Sequence, residues 1–200
     1  PGDVAILVVP IDMAAPKGRL ILPQVQTLRD LLDHDAVGLV VKEDRLKEAL
    51  SRLKQPPKIV VTDSQAFHKV AADTPADVWL TSFSILFARL KGDLVSLTEG
   101  AGAIDALRPG DRVLIAEGCT HHRQEGDIGK AQIPRFLRQM VGGDLDLAWT
   151  SGNGFPEDLR PFKLVVHCGA CMINRREMLS RLARARAQAV PVVNYGILLA

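Results

Sequence analysis

Residues 112–121 read Arg-Val-Leu-Ile-Ala-Glu-Gly-Cys-Thr-His. The run Val113–Ala116 is apolar without alternation, the pattern of a strand buried on both faces in a parallel sheet. It leads directly into Cys119-Thr120-His121. The same arrangement returns at Lys163–His167, a second strand pattern that runs into Cys168-Gly169-Ala170-Cys171. All three cysteines of the chain, and three of its five histidines (His121, His122 and His167), sit in these two short segments. In a parallel sheet the carboxyl ends of the strands share one edge, where ligand sites collect. The 45 residues between His121 and His167 hold a helix, a strand and a loop, about what one crossover back to the sheet needs. The two segments are therefore expected to meet.

Around this pair the chain alternates strands with helices, which implies right-handed crossovers and parallel sheets. Upstream, strands are expected at Val4–Val9, Ala36–Val41 and Lys58–Thr62. Pro23 opens a helix to about His34 with Val25, Leu28, Leu31 and Leu32 on its inner face. A second helix spans Lys42–Leu53 and turns Leu46, Leu50 and Leu53 inward. A short third helix, Ser64–Ala72, follows Asp63 as its N-cap. Helices are then expected over Thr81–Lys91 and Asp93–Leu107, a basic amphipathic helix over Gln132–Met140, and a strand at Leu145–Trp149. The loop Ser151–Pro156 reads as flexible. Asn174 caps a helix to about Gln188, and Val190–Val193 supplies a last strand. No internal repeat is visible. The fold class is α/β: two small consecutive layered domains, 1–86 and 87–200, each a mostly parallel sheet flanked by helices, with the cysteines at the carboxyl edge of the second sheet.

Composition narrows the function. At 200 residues, 47% apolar and 24% charged, the chain is an ordinary globular one. A net charge of +2 is too small to imply nucleic acid or an acidic membrane surface. No apolar run reaches the roughly eighteen residues of a membrane span. Few cysteines with C-x-x-C spacing, and no secretory features, fit a reducing compartment and metal or redox chemistry. Lys17-Gly18-Arg19 follows a strand but lacks the P-loop pattern and reads as a basic surface loop. His34 and His68 read as surface residues. The start at Pro1-Gly2-Asp3 and the stop within Ile197–Ala200 read as ends cut from a longer chain.

Three chemistries suit the ligand set. Structural zinc would take Cys119, Cys168, Cys171 and one histidine. Dithiol redox chemistry would use Cys168 and Cys171 between a strand and a helix, and would leave Cys119 without a role. An iron–sulfur cluster on three thiolates would leave one iron open to an exchangeable ligand. Cys171 lies three residues before Asn174, near the amino end of a helix, where thiolate is favoured. Arg175 and Arg176 oppose the helix dipole there. They are either surface charges or, with Arg123 and Lys130, a positive field for an anionic cluster or cargo. Spacing alone does not separate zinc from iron.

The bipartite pattern C-x-H … H-C-x-x-C resembles the cluster signature of the FeFe-hydrogenase maturation GTPase family, HydF. Its flanks match too: Asp127-Ile128-Gly129, Ile133-Pro134, Phe155-Pro156-Glu157-Asp158-Leu159 and Asn174-Arg175-Arg176-Glu177, with Ala15–Gln24 similar to the family's middle domain. The resemblance covers essentially the whole chain. It implies the dimerisation domain (1–86) and the cluster-binding domain (87–200) of a cytoplasmic three-domain protein whose GTP-hydrolysing N-terminal domain lies outside this chain. The chain itself would then bind no GTP and catalyse nothing. The resemblance further implies a homodimer through residues 1–86, and a scaffold that binds a 4Fe-4S cluster on Cys119, Cys168 and Cys171. That scaffold would receive a diiron precursor bearing CO, cyanide and a dithiolate bridge from two radical-SAM maturases and pass it to apo FeFe-hydrogenase. His121 and His167 are the motif's histidines, candidates for iron or for a place behind the ligands. The family can also place a carboxylate just after the first cysteine. Here that stretch reads Glu125-Gly126-Asp127, with a glycine where an acidic pair is expected. The fourth ligand stays open among Glu125, Asp127, His121 and water.

Overall fold

The computed structural model describes residues 1–11, 18–118 and 128–200. They form two compact units, Pro1–Phe83 and Ser84–Leu199, with Ala200 grouped with the first.

The first unit contains β1 (Val4–Val8), α1 (Leu22–Asp33), β2 (Val37–Val41), α2 (Leu46–Arg52), β3 (Ile59–Thr62), α3 (Phe67–Asp73) and β4 (Trp79–Ser82). Its sheet is parallel throughout, in the order β2-β1-β3-β4. Ile6, Val8 and Val60 meet Leu46 and Ala49 of α2 and Val70 of α3 in one buried cluster. Two expectations fail here. The helix expected from Thr81 begins at Phe83 as α4 (Phe83–Lys91), because Thr81 and Ser82 belong to β4, paired with Val61 and Thr62. Asp63 does not cap α3 through its side chain. A 3-10 turn, Ser64–Ala66, intervenes, and the Asp63 carboxylate accepts from Nε2 of buried Gln24 at 2.9 Å.

The inner face of α1 is also narrower than expected. Leu28 and Leu31 lie over Gly38 of β2, where an added Cβ would approach Leu28 Cδ1 to 2.8 Å. Val25 and Leu32, however, are 46% and 61% exposed. Hydrophobic periodicity marks the apolar side of a helix but does not say how much of it the rest of the chain covers.

The second unit continues from α4 through α5 (Leu94–Ala101), β5 (Arg112–Glu117), α6 (Ile133–Val141), β6 (Asp146–Ser151), β7 (Leu164–His167), α7 (Arg175–Ala187), β8 (Val192–Asn194) and α8 (Tyr195–Leu199). Its parallel sheet runs β6-β5-β7-β8. Helices cover both faces, which is why β5 reads as unbroken apolar sequence. Leu114 and Ala116 face Met178, Leu182 and Ala185 of α7. Val113 and Ile115 face Ile133 and Leu137 of α6 and Leu198 of α8. Each such fully buried aliphatic side chain contributes about 1.5–3 kcal/mol.

The two sheets thus share one strand order, a duplication with no visible counterpart in the sequence. In each, the winding reverses between the first and third strands, and ligands bind outside the carboxyl ends at such a switch point.

Helix α5 lies so close to β8 that a Cβ on Gly100 would run into the Val192 backbone, whereas Gly102 faces open space. Gly100→Ala is expected to lower stability by about 1–3 kcal/mol through overpacking. Gly102→Ala should be neutral or stabilising by up to about 1 kcal/mol. Urea denaturation of the two variants side by side checks the contrast.

Candidate functional site

The switch point of the second sheet lies between β5 and β7. Their register pairs Ala116 with His167 and is extended by Cys168 N–H donating to the Ala116 carbonyl at 2.9 Å. One residue past β5, the Gly118 N–H donates to Cys168 Sγ at 3.0 Å. The Ala170 N–H donates to the same sulfur at 3.4 Å. Two amide donors on one sulfur favour its thiolate form. The end of β5, at the threshold of Cys119, is therefore in contact with the start of the C-x-x-C segment. Cys119, His121, Arg123, Glu125 and Asp127 themselves lie outside the described residues.

Cys168 and Cys171 are half-buried. Between them the chain bends through Ala170, a buried residue at φ 57°. That left-handed conformation costs a non-glycine residue about 1–2 kcal/mol. Gly169 makes a close approach to α4: an added Cβ would come within 3.2 Å of Ser84 Oγ, which would have to give by a few tenths of an ångström. The helix after the segment forms as its sequence indicates: the Asn174 side chain accepts from Glu177 N–H at 2.8 Å and starts α7.

His167 is fully buried at the end of β7. Its Nδ1 is 2.9 Å from the Cys168 carbonyl, which can only accept, so Nδ1 carries the proton. Nε2 then accepts from Arg181 Nη1 at 3.2 Å. Burial pushes the imidazole down to about 4; the Cys168 carbonyl opposes the fall and the Arg181 charge adds to it. The ring is neutral, and both its nitrogens are engaged. Asn194, at the end of β8, also donates to the Cys168 carbonyl at 3.4 Å.

Arg181 is the charged residue at the centre of this network, with its side chain 2% exposed. Besides His167 it holds Glu177 at 2.8 Å and the Gly152 carbonyl at 2.6 Å. Arg184 donates to the carbonyls of Phe155 and Pro156 at 3.3 and 3.1 Å. Both guanidinium groups lie over the Phe155 ring. The loop expected to be flexible is therefore fastened to α7 by two arginines.

The remaining charges divide. Arg175 and Arg176 are exposed at the first turn of α7, and Arg175 Nη1 donates to the Leu90 carbonyl at the end of α4, 2.6 Å away. Lys130 is exposed in the turn Ile128–Gln132. Lys91, which the sequence does not single out, reaches into the site. Its Nζ donates to the carbonyls of Ala170 (3.2 Å), Cys171 (2.6 Å) and Ile173 (2.7 Å). Burial pushes this ammonium below its ordinary value, and the sulfurs of Cys171 and Cys168 push it back up. Among the described residues no three His, Cys, Asp or Glu side chains are gathered as a metal-holding group. None of their helices is long and apolar enough to cross a membrane.

Two family profiles match the chain. One, described as the hydrogen maturase F dimerization domain, covers residues 1–92. The other, the hydrogen maturase F tetramerization domain, covers residues 95–200. Among solved structures, an NtrC family transcriptional regulator from Clostridium acetobutylicum is 9% identical over 97% of this chain and 87% of that one. Its TM-score of 0.30 carries no argument. No curated protein matches.

Truncating Arg181 leaves His167 Nε2 and the Gly152 carbonyl without their donor, at about 1–3 kcal/mol for each buried group. Arg181→Met is expected to show that loss in denaturant melts. Arg181→Lys should recover little of it, because a point ammonium cannot span three directions as a planar fork does.

Proposed function

This chain belongs to the hydrogen maturase F family, and on that premise we propose that it is a self-associating, non-catalytic scaffold of hydrogenase maturation that holds a 4Fe-4S cluster on Cys119, Cys168 and Cys171. The observation that carries the reading is the Gly118 N–H on Cys168 Sγ at 3.0 Å. It brings the threshold of the first half of the ligand motif to the second half, at the switch point of the sheet. The donor set suits an anionic cluster. Amide donors, the start of α7 and the Lys91 ammonium all favour sulfur in its thiolate form.

The cluster would supply one iron held by no cysteine and open to an exchangeable ligand. This chain's own residues do the rest. His167 stands behind the ligands, its Nδ1–H on the Cys168 carbonyl, and keeps that strand end fixed. The fourth position falls to His121, Glu125, Asp127 or water. Lys130, Arg175 and Arg176, with Arg123, would supply a positive field for the anionic diiron precursor that is its cargo. The precursor comes from two radical-SAM maturases and goes to apo FeFe-hydrogenase in the cytoplasm.

Anaerobic reconstitution with iron and sulfide is expected to give a brown, oxygen-sensitive protein with about four irons per chain, as a 4Fe-4S cluster requires. Electron paramagnetic resonance of the reduced sample should show a 4Fe-4S signal, and Cys119→Ser, Cys168→Ser and Cys171→Ser should each abolish it. A colourless protein with one tight zinc would sink the cluster in favour of a structural module. Disulfide reductase turnover that survives Cys119→Ser would point to dithiol chemistry.

We propose that the first unit self-associates through its β2 edge. That strand has no charged residue, leaves Val37 and Val40 exposed, and adjoins a helix with Val25 and Leu32 uncovered. A lysine on an edge strand opposes pairing with another sheet. Val40→Lys is therefore expected to shift the chain toward a smaller species in sedimentation at micromolar concentration. An unchanged assembly would move the interface elsewhere.

A further inference from the structure

The segment from Cys168 to Asn174 turns three main-chain carbonyls, those of Ala170, Cys171 and Ile173, toward one point. Parallel approach of carbonyl dipoles is unfavourable unless a donor stands among them. The donor is Lys91 Nζ, at 3.2, 2.6 and 2.7 Å. An ammonium has three N–H bonds, so all three are used. The contact is reciprocated from the other side, where Arg175 donates to the Leu90 carbonyl next to Lys91. The end of α4 and the ligand segment are thus tied by two crossed, charge-assisted links, each about twice as strong as a neutral one. Within the tied stretch lies the left-handed bend at Ala170. The bend falls on an alanine and not a glycine, so the contacts around it, Lys91 among them, offset its conformational cost.

We propose that Lys91 is a positioning residue for the ligand segment: its ammonium, seated on three carbonyls, holds the bend at Ala170 that sets Cys171 relative to Cys168, and keeps a fixed positive charge beside the metal-binding sulfurs. The part concerning the metal rests on the cluster reading above. The part concerning the segment does not. Lys91→Met keeps an unbranched apolar stem as far as Cε and removes donor and charge. Lys91→Arg keeps the charge, but its planar fork cannot converge on one point.

The test uses the whole chain. In its metal-free form, amide hydrogen exchange of residues 169–173 is expected to quicken at least tenfold in Lys91→Met and several-fold in Lys91→Arg, while β5 and β7 keep wild-type protection. Unchanged exchange at 169–173 overturns the proposal. So does loss of protection spread through β5 and β7, since that would make Lys91 a general support of the unit. Lys91→Arg serves as the second variant should Lys91→Met fail to fold. After iron–sulfur reconstitution, Lys91→Met should have a more negative midpoint potential than wild type, with Lys91→Arg closer to wild type; no difference between the two overturns the charge role. A wild-type chain that takes up no iron would remove the cluster reading and leave the exchange result standing on its own.

Discussion

Parallel pairing of β5 with β7 is the constraint on which the candidate site depends. It sets Ala116 against His167 and then lets Cys168 N–H continue the ladder to the Ala116 carbonyl. Once that register is fixed, the end of β5 and the first cysteine of the C-x-x-C segment must be neighbours. A shift by one residue would turn His167 away from Arg181 to the opposite, also covered, face of the sheet and carry Cys168 away from Gly118. The register is held by the apolar layers on both faces of the sheet. The core that makes the fold stable is therefore the same core that aims the sulfur.

Around that strand end the structure uses buried charge sparingly and satisfies it. Arg181 is covered, but its guanidinium meets a neutral imidazole, a carbonyl and a carboxylate that reaches solvent. A positively charged His167 in the same place would face Arg181 with like charge, which is why burial and Arg181 both act to keep the ring neutral. A neutral ring can hold the Cys168 carbonyl and accept from Arg181 at once; a charged one could not accept. The polar ends of β7 and β8, His167 and Asn194, converge on one carbonyl. The backbone of Cys168 is thus gripped by side chains while its sulfur is gripped by backbone amides.

Much of this was legible in the sequence. Unbroken apolar runs announced the strands, Asn174 announced its helix, and strands ending in cysteine announced a shared edge. Failures came where the deciding partner is not encoded locally. Trp79–Ser82 is too short and mixed to stand out, and it becomes a strand because β3 pairs with it. Val25 and Leu32 have the right period for a buried face, yet period does not report coverage. Arg184 and Lys91 bond to main-chain carbonyls, which every residue has, so no pattern of side chains points to them, and Arg181 joins its near neighbour Glu177 to a histidine and a carbonyl that only the fold brings close. Arg175 and Arg176 drew notice because they lie beside the cysteines in sequence; Lys91 is 77 positions from Cys168 and is nearer in effect. The shared strand order of the two sheets left no trace in residue identity, because it depends on topology and not on any particular side chain.

Helix α4 carries a consequence of a different kind. It packs with the second unit, which begins at Ser84, but the family's first domain extends to residue 92 and the second starts at 95. The seam of inheritance and the seam of packing are one helix apart. Any exchange of modules along the inherited seam would pair the C-x-x-C segment with a foreign α4. Lys91 and the stretch from Ala170 to Ile173 therefore lie on opposite sides of the family boundary but on one side of the packing boundary.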